Sequence, residues 1–300
     1  MRQLTVVLPV LVFAFLLSAC NTAVGTTPSA TTAGAALVGL MAQPASKNSR
    51  IYVTNTTGTG TVAYYAIGGG KANKIVQTGL GYPSGIAFAK NGNFYVTDYT
   101  AGAVFTYTKD GKQTTPTISG LNHPVGIAVD AAGKIYVTNY GEGYYGGTVT
   151  TYKPNGTPTT PTIEAGLCAP WGVAVDAKGK IYVSNVCGQN VTTYTAKGKQ
   201  TTPTITIDDS VTGIAVDKHG KIYVNVNMQN TLQTFTPAGV QTTPTITTGL
   251  GDPQGLALDD SGKIYVTNYA TGTLTTYTSQ GKPSNPKIRH LAGPIGIALH

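Results

Sequence analysis

The chain has 300 residues and a formal net charge of +8, and only 11 % of its residues are charged. Charged residues are scarce while Gly and Tyr are abundant, which favours many short strands joined by tight turns. The basic balance alone would suit a nucleic-acid-binding protein, but the export signal described next excludes that class of partner.

The N-terminus has the pattern of a bacterial lipoprotein signal. The apolar run from Leu4 to Leu17 is too short for a membrane-spanning helix and has the length of an export signal. It is followed by Ser18-Ala19-Cys20, and the four residues 17–20 resemble a lipobox, whose Cys becomes the lipidated first residue. We therefore predict a signal peptide over residues 1–19 and lipidation at Cys20. An ordinary cleaved signal with an incidental Cys is the alternative.

The predicted location is the bacterial cell envelope, with the chain held by its lipid. Asn21 follows the Cys, and in a Gram-negative cell this resembles an outer-membrane address. Residues 20–50 are rich in Ala, Thr, Gly and Ser and show no sustained period, so we predict a flexible tether between the lipid and the rest of the chain.

One phrase recurs six times between residues 51 and 300. It reads approximately P-x-G-I-A-V-D-x-x-G-K-I-Y-V-T-N and is followed by G-T-V-T-T-Y and T-T-P-T-I. Its first glycine falls at Gly85, Gly126, Gly172, Gly213, Gly255 and Gly296. A period near forty residues with four short β-rich segments is typical of a propeller blade. The predicted fold is an all-β six-bladed β-propeller over residues 51–300, with four strands (a to d) in each blade.

The two ends of the repeat region predict how the ring closes. The first I-Y-V segment, at Ile51, has no strand a before it, and the last strand a, at Gly296–His300, has no strand b after it. The C-terminal strand must therefore pair with the N-terminal strand, which removes sheet edges that would otherwise be exposed.

Departures from the repeat indicate where a site could lie, and they fall in three neighbouring blades. The third blade carries inserted residues within the stretch 139–147, which includes Tyr140, Glu142, Tyr144 and Tyr145. The fourth carries Trp171 at the variable position of P-x-G, which should border the channel mouth. These aromatic residues, Glu142 and His123 are the candidate ligand-binding residues. A channel plug that only packs is the alternative for Trp171.

Cys168 and Cys187 are predicted to form a disulfide. Strands a and b of the fourth blade form a hairpin that turns at residues 177–179, so that cross-strand partners have numbers summing to about 355. The oxidising exported environment favours the bond. Two free thiols that bind a metal are the alternative.

The fifth blade carries a candidate site for a divalent cation, either calcium or magnesium. Asp208 and Asp209 replace the usual G-L, and Asn225 and Asn227 interrupt the I-Y-V-T-N segment. Carboxylate and amide oxygens are the ligands that hard cations prefer. The alternative is a solvated acidic loop.

The repeated phrase resembles the NHL-repeat propellers and the related streptogramin-lyase-like and strictosidine-synthase-like families, over about residues 51–300. The resemblance implies the fold. The streptogramin lyases use His and Glu around magnesium near the channel mouth, whereas this chain has only Glu142 and Glu164 and no Glu-x-His pair. The lyase site therefore cannot be carried over, and no catalytic residue is assigned.

Blade geometry divides the loops between two faces of the ring. The upper face holds the loops before strand a and after strand b, and it receives Asp98, Glu142, Asp208, Asp209 and Asp252 without Lys or Arg. The lower face receives most of the Lys residues and could rest on an anionic membrane. A Gly-Lys pair that merely makes a soluble turn is the alternative.

Our hypothesis from sequence is a monomeric, lipid-anchored module without enzymatic activity, whose upper face binds an unidentified protein or glycan. The alternative is a metal-dependent lyase or lactonase at the channel mouth. It would draw ligands from the fifth-blade cluster and from the ends of strands b, at Asp98, Asn139, Asn185 and Asn268. A structural envelope protein without a small-molecule ligand is a third reading.

Overall fold

The computed structural model describes residues 49–142 and 146–300, and the regular structure in these ranges consists of β-strands. Blades 1 to 3 contain β1 (Arg50–Asn55), β2 (Gly60–Ala66), β3 (Gly69–Leu80), β4 (Pro83–Phe88), β5 (Phe94–Asp98), β6 (Ala103–Tyr107), β7 (Gln113–Ser119), β8 (Pro124–Val129), β9 (Ile135–Asn139), β10 (Thr148–Tyr152) and β11 (Pro158–Ile163). Blades 4 to 6 contain β12 (Pro170–Val175), β13 (Ile181–Asn185), β14 (Asn190–Tyr194), β15 (Gln200–Thr206), β16 (Val211–Val216), β17 (Ile222–Val226), β18 (Thr231–Phe235), β19 (Gln241–Ile246), β20 (Pro253–Leu258), β21 (Ile264–Asn268), β22 (Thr273–Tyr277) and β23 (Pro283–Ile288). The chain returns to blade 1 with β24 (Pro294–Leu299).

The strands form six antiparallel sheets of four strands each, which confirms the predicted six-bladed propeller. Blades 2 to 6 each use four consecutive strands, and the first strand of each lies next to the channel. The hydrophobic core lies between neighbouring sheets. Between blades 2 and 3, for example, Tyr95 and Val104 pack with Ile127 and Ile135.

Blade 1 closes the ring, as predicted. Its sheet has the order β24-β1-β2-β3, so its innermost strand comes from the C-terminus. Ile51 pairs with Leu299 and Val53 pairs with Ile297 in the antiparallel register.

The recurrent glycine of P-x-G allows the innermost strands to approach one another closely. A Cβ atom on Gly296 would lie 2.1 Å from the backbone oxygen of Ser84 in the next blade, which no side chain tolerates. The equivalent glycine of every other blade faces the corresponding carbonyl of its neighbour at 2.2–2.7 Å. The glycine is therefore a requirement of the narrow channel.

The threonine of I-Y-V-T joins each blade to the next. Thr54 is fully buried, and its Oγ1 accepts a hydrogen bond from the Gly296 N–H at 2.7 Å. The same hydroxyl donates to the Ser84 carbonyl at 2.6 Å. Equivalent bonds are made by Thr97, Thr138, Ser184 and Thr267. In blade 5 the position is Asn225, whose Nδ2 donates to the Gln254 and Gly255 carbonyls instead.

The aspartate of A-V-D holds the turn between strands a and b on the lower face. Asp130 Oδ1 accepts the N–H groups of Ala132 and Lys134, and its Oδ2 accepts the Tyr136 hydroxyl at 3.1 Å. Burial, together with Asp130, raises the pKa of Tyr136. The arrangement recurs at Asp176, Asp217 and Asp259. These acids are therefore structural.

Candidate functional site

The channel contains a cavity of about 90 Å³ lined by the innermost strands. The variable residue of P-x-G contributes to this lining in five blades, through Ser84, Val125, Trp171, Gln254 and Ile295. Trp171 thus lies where the sequence places it, at the channel, and its side chain is partly exposed.

Five aromatic residues form a continuous row on the upper face, which we call the aromatic arc: Tyr269, Tyr82, Tyr99, Tyr140 and Trp171. The Tyr82 side chain lies near those of Tyr269 and Thr56, and its pKa is raised chiefly by burial. The ring centroids are 5.7 Å apart between Tyr82 and Tyr99, 6.3 Å between Tyr99 and Tyr140, and 6.1 Å between Tyr140 and Trp171. The arc extends from blade 6 to blade 4.

The arc depends on one position that sequence analysis used only in blade 3. Tyr99, Tyr140 and Tyr269 each follow the last residue of a strand b, where the sequence reads T-D-Y or T-N-Y. Their recurrence is the signal in the sequence that could have revealed the arc, but a residue that recurs is not a departure from the repeat and was therefore not predicted as a site residue outside blade 3. Tyr82 lies immediately before the Pro of P-x-G, a position that varies between blades, and the sequence prediction did not include it.

His123 belongs to the arc as a stacking partner. Its ring lies 4.4 Å from the Tyr99 ring at an interplanar angle of 24°, and its Nδ1 is 3.0 Å from the Gly141 carbonyl oxygen. Among the other residues of the third-blade insertion, Glu142 is exposed. Tyr144 and Tyr145 lie outside the described residues, as does Cys20.

The Cys168–Cys187 disulfide is confirmed, with the two Cα atoms 5.4 Å apart. It joins the segments that flank β12 and β13, and the Cys168 N–H donates to Asn185 Oδ1 at 3.2 Å. Because Cys168 is three residues before Trp171, the bond restrains the backbone that carries the indole.

The four residues predicted to bind a cation have separate hydrogen-bonding roles. Asp209 is buried and accepts the N–H groups of Ser210 and Gln229 at 2.6 and 2.7 Å. Asn225 occupies the inter-blade position described above, and its Oδ1 is buried without a hydrogen-bond donor among the described residues. Asp208 is exposed. The Asn227 N–H donates to the Ser210 carbonyl at 2.9 Å, which places Asn227 beside Asp209 as predicted, while its Nδ2 donates to Asp252 Oδ1.

Asp252, Gln254 and Asn227 form a second group on the upper face, which we call the polar cluster. Asp252 Oδ1 accepts from both Asn227 Nδ2 and Gln254 Nε2. The sequence placed Asp252 on the upper face and Asn227 in the candidate cation site, but it did not predict that the two side chains join through a hydrogen bond. The contact crosses from blade 5 to blade 6, so no spacing within one repeat could reveal it.

The upper face is not free of basic residues, contrary to the sequence prediction. Arg289 is exposed in the loop between β23 and β24, which precedes an innermost strand and therefore lies on this face. The outer strand β23 ends at Ile288, so Arg289 is the first residue of this loop. Glu164 lies in the equivalent loop of blade 4.

The polar residues at the ends of strands b act within their own blades. Asp98 is fully buried and accepts from Gly81 N, Tyr82 N, Thr100 Oγ1 and Ala101 N. The amide groups of Asn139, Asn185 and Asn268 donate to threonines of the adjacent strand c. Over residues 49–142 and 146–300, no group of three His, Cys, Asp or Glu side chains is arranged to hold a metal ion.

Known proteins resemble this chain in structure rather than in sequence. No protein-family model matches the chain, and no match was found among curated proteins. A chain from the crystal structure of a nidogen/laminin complex superposes with a TM-score of 0.70 at 17 % identity, over 84 % of this chain and 98 % of that one. Virginiamycin B lyase from Staphylococcus aureus superposes with a TM-score of 0.62 at 14 % identity, over 82 % and 88 %.

A third similar structure is a protein of unknown function from Bacteroides caccae, with a TM-score of 0.66 at 13 % identity, over 84 % of this chain and 98 % of that chain. At these identities the likeness establishes the fold alone. The chain shares the propeller architecture of the streptogramin lyases and of the matched chain in the nidogen/laminin complex. Within the described residues, no helix is long and apolar enough to span a membrane.

Proposed function

We propose that this protein is a lipid-anchored, extracytoplasmic binding module that captures a protein or glycan partner on its upper face. The observation that carries the proposal is the aromatic arc, which presents partly exposed Tyr and Trp side chains in one row beside the channel. Aromatic rings that combine an apolar face with a polar group are enriched at binding surfaces.

Exposed apolar side chains on the same face support the proposal. Met228 is 77 % exposed in the turn between β17 and β18, and Tyr269 is 37 % exposed after β21. Both turns follow a strand b and therefore lie on the upper face. Exposed apolar groups that are rimmed by polar residues are typical of an interaction surface. The nidogen/laminin complex supports the reading by analogy of fold only.

The lower face is suited to lie against an anionic surface. Four lysines of this face are already hydrogen-bonded within the propeller, because the Nζ of each donates to a carbonyl of the outermost strand: Lys134, Lys180, Lys221 and Lys263. Many others are exposed in lower turns, namely Lys90, Lys109, Lys112, Lys153, Lys178, Lys197, Lys199, Lys218 and Lys282. Each cation near an anionic membrane contributes up to about 1 kcal/mol. We propose that this face steadies a propeller anchored through Cys20.

The anchor is tested by fractionating cells that express the native chain or Cys20→Ser. We expect the native chain in the membrane fraction at both low and high salt. The variant should be retained only at low salt, since ionic contacts are screened. Membrane retention of Cys20→Ser at high salt would contradict the lipid anchor, and its release at low salt would contradict the role of the lysines.

The binding function is tested with the full-length protein immobilised in mild detergent and exposed to envelope extract. The native chain is compared with Tyr140→Ala/Trp171→Ala and with Val240→Ala, which removes an exposed apolar side chain from the lower face. We expect one component to be retained by the native chain and by the control but not by the double variant. Equal retention by all three would refute the proposal.

A further inference from the structure

The strongest unexplained group on the upper face is the side chain of Gln254. It lines the channel cavity and is only 9 % exposed. Its Nε2 donates to Asp252, but its Oε1 is buried and has no hydrogen-bond donor among the described residues. A buried acceptor without a donor is energetically unfavourable. A ligand that donates a hydrogen bond to Gln254 Oε1 would remove this cost.

The second observation is the charge beside that acceptor. Asp252 Oδ1 receives only neutral amide donors, from Asn227 and Gln254. No Lys or Arg forms an ion pair with it within the part of the chain that the structure describes. The partly exposed carboxylate of Asp252 therefore lies beside the buried amide oxygen of Gln254, and each of them can accept a further hydrogen bond. A group that carries positive charge and several N–H donors matches this pair best.

Apolar side chains flank the polar cluster on both sides. Asn230 Oδ1 accepts the Asp252 N–H at 2.6 Å, which places the turn of the exposed Met228 next to Asp252. On the other side, the Tyr269 N–H donates to the Asp252 carbonyl at 2.9 Å. A long cationic side chain could rest its methylene groups on Met228 and its charged end near the Tyr269 ring.

We propose that the polar cluster binds an arginine side chain of a protein partner. The planar guanidinium can direct one N–H to the Asp252 carboxylate and, once the Gln254 side chain turns its buried Oε1 towards the channel cavity, another to that oxygen, whereas the ammonium of lysine lacks this fork. The inference rests on the proposed function, because it supplies the chemistry by which the upper face selects its partner. It favours a protein over a glycan, since guanidinium groups belong to proteins.

The test uses defined peptides with the full-length protein. An amidated Leu-Arg-Leu tripeptide is compared with its citrulline and lysine counterparts by isothermal titration. Citrulline keeps the shape of arginine but has no charge. We expect saturable binding of the arginine peptide, at least tenfold weaker binding of citrulline, and weaker binding of lysine. Equal affinity for arginine and citrulline, or for arginine and lysine, would overturn the assignment, as would no binding of the arginine peptide.

Two variants locate the site. Gln254→Met keeps the length of the side chain and removes the unpaired oxygen, so it should fold and lose at least fivefold in affinity for the arginine peptide. Gln241→Met makes the same change on the exposed outer strand β19 and should bind normally. Unchanged affinity in Gln254→Met would overturn the inference.

The same variants distinguish a failure of the arginine inference from a failure of the proposed binding function. If the envelope component is lost from Tyr140→Ala/Trp171→Ala but retained by Gln254→Met, the binding function stands and the arginine inference fails. If the component is retained by the aromatic double variant, the binding function itself fails. If Asp252→Asn and Gln254→Met both lose the component while Gln241→Met keeps it, both proposals are supported.

Discussion

Replacing Thr54 by Val tests the bond that closes the ring. The substitution keeps the shape of the side chain but removes a fully buried hydroxyl. The Gly296 N–H and the Ser84 carbonyl, at 2.7 and 2.6 Å from Oγ1, each lose a partner. Water cannot replace the hydroxyl where Gly296 and Ser84 are packed within van der Waals distance. Each unsatisfied buried group costs about 1–3 kcal/mol, so for the two groups we expect a loss of about 2–6 kcal/mol.

The free energy of unfolding is measured by urea denaturation, with the far-ultraviolet circular dichroism of the sheets as the signal. Thr97→Val removes the same kind of bond between Gly85 and Val125 and should cost a similar amount. Thr204→Val changes an exposed threonine of the outermost strand β15 and should remain within about 0.5 kcal/mol of the native chain. If Thr54→Val is no less stable than Thr204→Val, the inter-blade role of the hydroxyl is refuted.

Further predictions concern the disulfide, the tyrosines and the candidate cation site. Reduction of Cys168–Cys187 releases a loop with a sequence separation of 19 and should lower stability by up to about 3 kcal/mol, which the midpoint of urea unfolding measures; an unchanged midpoint would contradict it. Burial, with Asp217, raises the pKa of Tyr223 from 10.0 to about 12. The native state then retains a proton that the unfolded state releases, so this contribution is intact below pH 10 and is lost as the pH rises towards about 12. Tyr223→Phe should reduce that alkaline loss in urea titrations, and an identical pH profile would count against it. If the fifth-blade residues bind calcium, the chelated protein should show a saturable rise in melting temperature that Asp209→Asn abolishes; no rise with the native chain would end the cation prediction.

The repeat could be recognised in the sequence because every blade makes the same packing contacts and therefore needs the same residues. The glycine of the innermost strand and the β-branched residues of strand b recur in every blade, because every blade makes the same contacts. Their spacing therefore predicted the number of blades, and it also predicted that the C-terminal strand at Gly296 pairs with the N-terminal strand at Ile51. The disulfide was predictable for a related reason, since Cys168 and Cys187 lie on one hairpin and share its local register.

The role of the recurrent threonine was not readable in the same way. In sequence Thr54 is one more β-branched residue of a strand, which its strand propensity alone would explain. Its hydroxyl acts between blades, on a carbonyl about thirty residues away at Ser84. Only the packing of neighbouring sheets shows that the side chain at this position forms hydrogen bonds with the innermost strands of its own blade or the next one.

The sequence by itself determined the architecture, because strand period, turn residues and repeat length are local properties that each blade repeats. It also located the upper face as the place where the copies differ. The tertiary structure decided which of those residues meet. The aromatic arc joins side chains from blade 6 to blade 4, and the polar cluster joins Asn227 to Asp252. Closure of the ring brings these residues together around the channel, and their distances follow from the packing of the blades rather than from their spacing along the chain.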